Sequence, residues 1–122
     1  MFMTIAIKTE AARLLAEVGF LGLSRGLQTN AEVVFTCLRG LRPDDEAGHI
    51  GLALSRLSDN DAAGALETLK AARQTEAVMA FCCLAHMRVG DKAAAQELRE
   101  ELAAMGAAKD LQEIATAAVS NE

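Results

Sequence analysis

The sequence predicts an all-α protein, on three observations. The first is composition: 52% of the 122 residues are apolar, but only four are aromatic, all phenylalanine, and there is one proline, Pro43. Alanine and leucine dominate, a mixture with high helix propensity and little of the β-branched and aromatic enrichment that strands need. The second is punctuation, with turn signals at Arg25-Gly26, Arg42-Pro43-Asp44, Asp59-Asn60-Asp61, Gln74-Thr75, Gly90-Asp91 and Gly106. The third is that the segments between these breaks carry apolar residues at helical spacing.

Each helix has a start or a stop written beside it. Thr29-Asn30-Ala31-Glu32 reads as a capping box opening the second helix. Asp61 and Asp91 stand where N-caps belong, and Gly106 suits a left-handed helix end. Six helices follow in three antiparallel pairs. A seventh carries Leu111, Ile114, Ala115, Ala118 and Val119 on one face and caps the open end.

Helix pairs recurring at about 34 residues are the plan of the tetratricopeptide repeat. In that template Leu15, Val18 and Gly19 take the packing positions of the first helix, Ala31 and Phe35 those of the second, and Pro43 closes the repeat. A second repeat from Glu46 puts Leu52, Ala53, Ala65, Leu69 and Ala72 at equivalent places. The third is shorter: Cys82, Cys83 and Leu84 match Leu52, Ala53 and Leu54 at a period of about thirty, and either Ala94 or Ala95 takes the small position. The expected architecture is a tetratricopeptide-like right-handed superhelix in one domain. It has a tail over 1–8, repeats at about 12–45, 46–75 and 76–106, and a capping helix at about 109–120.

In such a superhelix the fifth, ninth and twelfth repeat positions line the concave face. Here they are Ala16, Phe20 and Leu23, then Ile50, Leu54 and Leu57, then Ala80, Leu84 and Met87. All nine are apolar, where repeats that clamp a peptide carboxylate carry Lys, Arg and Asn. An open patch of that kind spans several hundred Å² and must be covered. Either it receives an amphipathic helix from a partner, or the last helix or self-association closes it.

Other functions find little support. The net charge of −5 and the scattered arginines give no stripe for nucleic acid. The longest uncharged stretch, Ala77 to Met87, is well short of the ~20 residues of a membrane span. The apolar N-terminus, Met1 to Ile7, has no basic n-region and is read as native chain of a cytoplasmic protein.

Cys37, Cys82 and Cys83 form no disulfide framework and are expected to be reduced and mostly buried. Cys82 and His86 share a helix face, but with Cys37, Cys83 and His49 they make no zinc spacing, so no metal is expected. The setting of Cys82 is too apolar for a nucleophilic thiolate. No glycine-rich phosphate loop is present, and neither an enzyme nor a cofactor is expected.

The stretch Leu38-Arg39-Gly40-Leu41-Arg42-Pro43, and Ala77-Val78-Met79-Ala80-Phe81-Cys82-Cys83-Leu84 followed by Val89-Gly90-Asp91, resemble the small tetratricopeptide-like chaperones of type III secretion systems. Needle-subunit chaperones and small Hrp secretion proteins are the most similar kinds. The resemblance runs from about Ala12 to Val119. It implies a cytoplasmic chaperone whose groove sequesters the amphipathic C-terminal helix of a self-polymerising needle subunit, working with a smaller helical co-chaperone. A self-associating scaffold of the secretion apparatus, or a repeat adaptor outside secretion, are the alternatives.

Overall fold

The computed structural model describes residues 9–120. Seven helices occupy them: α1 (Thr9–Ser24), α2 (Gln28–Leu41), α3 (Glu46–Ser58), α4 (Ala62–Lys70), α5 (Glu76–Val89), α6 (Lys92–Ala104) and α7 (Lys109–Ser120). No strand occurs among the described residues. The tail expected over 1–8 lies outside them. Consecutive helices pack on one another, α1, α3 and α5 also touch in turn, and α7 packs on both α5 and α6.

Local chemistry sets the helix starts. The carboxylates of Asp61 and Asp91 accept hydrogen bonds from the backbone N–H of Gly64 at 2.9 Å and of Ala94 at 3.1 Å. The Thr75 hydroxyl accepts from Val78 N–H at 3.2 Å, and Asp45 caps α3 through Ala47 N–H at 3.0 Å. Each satisfies an orphan donor of a first turn.

The expected capping box at Thr29 does not form, because α2 begins at Gln28 and Leu27 makes no side-chain cap. Tertiary demand explains it. Ser55 is fully buried on α3; its hydroxyl donates to Glu32 Oε2 at 2.9 Å, and its carbonyl accepts from Gln28 Nε2 at 2.5 Å. Glu32 therefore serves a buried hydroxyl instead of its own helix end.

The core runs as three linked clusters. In the first, the Phe35 ring lies between two glycines. An ideal Cβ on Gly19 would stand 2.6 Å from Phe35 Cζ, and one on Gly51 2.1 Å from Phe35 Cδ1. Gly48 lets α3 approach α2 in the same way, its ideal Cβ falling 2.7 Å from the Arg39 nitrogen. Val18, expected at a packing position, is instead exposed, because the buried stripe of α1 runs through Ala12 and Gly19 with Leu15 and Leu23 beside it.

The middle cluster joins Ala53, Leu57, Ala65, Leu69, Val78 and Cys82. The missing residues of the short period fall in α4, which has nine residues where α2 has fourteen. In the last cluster Ala115 and Ala118 of α7 cover Met79, Cys83, Ala95 and Leu102, so Ala95 is the small position of α6. The Cys83 thiol donates to the Ala95 carbonyl at 3.1 Å. Cys82 and Cys83 are buried, but Cys37 is exposed, against the sequence expectation. It sits next to Thr36 on the outer face of α2, one position before the buried Leu38.

Candidate functional site: a groove across the first helices of each pair

Phe20 and Leu23 of α1, Leu54 and Leu57 of α3 and Leu84 of α5 line one open groove of about 600 Å³. Five of the nine residues expected on the concave face are thus brought together. The helical period explains three of them: Phe20, Leu54 and Leu84 each follow a buried position, Gly19, Ala53 and Cys83, by one step that leaves them on the neighbouring face. Leu54 and Leu84 are half-buried, with the core on one side and the groove on the other. The Phe20 ring rests edge-on against Phe35, with centroids 4.8 Å apart at 60°, and keeps its outer side exposed.

The other four are placed elsewhere. Ile50 is 6% exposed and belongs to the middle cluster, and Ala80 is fully buried in the last. Met87 packs against the cluster that α5, α6 and α7 share, and Ala16 against that of Phe35. Ile50 and Ala80 are buried, whereas Ala16 and Met87 stay partly exposed. Four polar residues not foreseen from the sequence complete the lining: Ser24, Ser58, Asn60 and Arg88.

A second apolar surface lies on α1. Leu14, Val18 and Leu21 are more than half exposed at helical spacing. Val18, Leu21, Leu27 and Val34 line a cleft of about 320 Å³ between α1 and α2.

The ionisable groups of the last pair are tuned by burial. It pushes the Cys82 thiol up to about 11, against the counter-effect of Lys70, and it raises Cys83 as well. At neutral pH this favours the thiol over the thiolate in both. Among the described residues no group of His, Cys, Asp and Glu is arranged to hold a metal ion. None of the described helices is long and apolar enough to cross a membrane.

His86, at the end of α5, has its pKa lowered by burial, with Asp91 acting against the shift and Lys70 with it. Its Nδ1 stands 4.0 Å from Asp91 Oδ2, beyond hydrogen-bond reach, and has no other partner among the described residues. A base with a depressed folded pKa binds its proton more tightly in the unfolded chain. The stability that this group contributes is therefore fully present above about pH 6.5 and is lost as pH falls below it. Denaturant melts across pH 5 to 8 should show this slope, and His86→Gln should flatten it. An unchanged slope in the variant would mean that another group titrates.

The solved structure of PcrH from Pseudomonas aeruginosa matches the chain with a TM-score of 0.74. The match covers 99% of this chain and 98% of PcrH, at 19% sequence identity. The chain has the PcrH fold. PcrH is a type III secretion chaperone, and its fold is all-α and tetratricopeptide-like, as the sequence predicts for this chain. No protein-family model and no curated protein matches the sequence.

Proposed function

We propose that this protein is a cytoplasmic, non-enzymatic chaperone of a type III secretion system. It holds an amphipathic helix of an export substrate in the groove formed by Phe20, Leu23, Leu54, Leu57 and Leu84. The observation that carries the proposal is the groove itself, lined by five apolar side chains from three helices, of which Leu57 is mostly buried in the core beneath it. Apolar anchors from several helices suit a ligand presenting side chains at i, i+3/i+4 and i+7. Likeness in fold to PcrH over nearly the whole chain supports the chaperone role. The needle-type substrate comes from the sequence resemblance: a subunit that polymerises through a helix stays monomeric while that helix is covered.

The exposed face of α1 favours a second reading, in which this surface mediates self-association of a scaffold or holds a small co-chaperone. Co-expression with any small helical protein whose gene adjoins this one separates the two. A chaperone yields a defined hetero-complex that co-purifies and remains soluble. A scaffold yields a homo-oligomer by light scattering with no co-purifying neighbour, and that result would reject the chaperone reading.

A further inference from the structure

The groove differs along its two sides. Its floor is apolar, but the ends of the first helices form a polar edge: Ser24 is the last residue of α1, Ser58 the last of α3, and Arg88 lies one before the end of α5. The serine hydroxyls donate back to their own helices, Ser24 to Leu21 O at 2.8 Å and Ser58 to Leu54 O at 3.1 Å. Asn60 and Arg88 supply the remaining donors. Arg88 is the one charged residue in the lining, and among the described residues no carboxylate pairs with it.

Asn60 stands out for its backbone. Four helix ends close through the same hydrogen bond: Leu27 N–H to Gly22 O, Asp61 N–H to Arg56 O, Asp91 N–H to His86 O and Ala107 N–H to Leu102 O, at 2.8 to 3.1 Å. Each needs a left-handed residue. Three use glycine, Gly26 (φ 75°), Gly90 (φ 90°) and Gly106 (φ 69°), and the fourth is Asn60 (φ 61°). A side chain there is strained where glycine is not. Of the three turns that end a first helix of a pair, this central one is the turn whose left-handed residue lines the groove. Strain kept at a binding surface is a pointer to use.

We infer that Asn60 and Arg88 form a donor edge that reads a carboxylate beside the apolar stripe of the docked helix. The groove then selects amphipathic helices with an acidic flank and sets their orientation. This rests on the groove being the binding site. An arginine presents a fork of donors suited to a carboxylate, and an asparagine amide adds two more.

Two synthetic helical peptides test it, with leucines at i, i+4 and i+7 and with either Glu or Lys flanking the stripe. The protein's net charge of −5 would by itself favour the Lys peptide. A preference for Glu must therefore come from the edge. We expect the Glu peptide to bind about tenfold more tightly at low ionic strength, with the advantage shrinking as salt is added. Arg88→Gln should abolish the preference. Asn60→Gly should raise the melting temperature by relaxing the turn, yet weaken the Glu peptide. Equal binding of both peptides overturns the donor edge and leaves the groove standing as the site. No binding of either overturns the edge together with the groove. An Asn60→Gly variant that melts higher and binds unchanged removes Asn60 from the edge.

Discussion

Phe35→Ala should destabilise the protein by about 3–5 kcal/mol, a large share of the ~5–15 kcal/mol that holds a domain of this size together. The ring is fully buried, and the helices around it carry glycine at the two positions where it presses hardest, Gly19 and Gly51. Removing it leaves a cavity that neither glycine can fill, since neither has a side chain to rearrange. The reverse change is as informative. A methyl group in Gly51→Ala would meet Phe35 Cδ1 at 2.1 Å, too close for a real contact, so α3 must shift away from α2. Urea unfolding followed by circular dichroism reads both variants. Val33→Ala, at an exposed position of the same helix, serves as control and should stay within about 0.5 kcal/mol of the parent. A Phe35→Ala protein as stable as that control would contradict the packing described.

Leu54→Glu should remove most partner binding, at a cost of at least a few kcal/mol. Leu54 lies at the centre of the groove, between Phe20 on one side and Leu84 on the other. Central, desolvated anchors carry most of the energy of an interface, and a carboxylate there is left unpaired once the ligand covers it. Because Leu54 also leans on the middle cluster, the variant should melt somewhat lower while remaining folded. Arg73→Glu, at an exposed position in the turn after α4, is the control. Co-purification of the partner with each variant, beside its melting curve, gives the answer. Wild-type binding by a folded Leu54→Glu protein would place the partner elsewhere. Complete unfolding would make Leu54 a core residue.

The helices were legible in the sequence because their signals are local. Asp61 and Asp91 cap as read, since the donors they serve lie three residues ahead in their own helices. Thr29-Glu32 misled for the opposite reason: Glu32 is claimed by Ser55, 23 positions away, and no local pattern announces that. Spacing identified Phe20, Leu54 and Leu84 in the groove, because a repeat fixes which face of a helix a position lies on. It does not fix what stands opposite, so Ile50 and Ala80 turned out to be buried by neighbours. The polar edge was missed, although its trace is present. At the period of about thirty, Asn60 aligns with Gly90, an asparagine where the turn geometry asks for glycine.

The Phe35 ring has a consequence beyond stability. Phe20 stands on it from α1, and Gly51 of α3, three residues before Leu54, is pressed against its other side. The helices that carry these two apolar anchors are therefore both packed on one fully buried side chain. Their separation is settled in the free protein and not assembled when the ligand arrives. A surface that is preorganised in this way loses little conformational freedom on association, and more of the contact energy remains as affinity. The glycines that admit the ring into the interior thus also fix the spacing that the groove presents to its ligand.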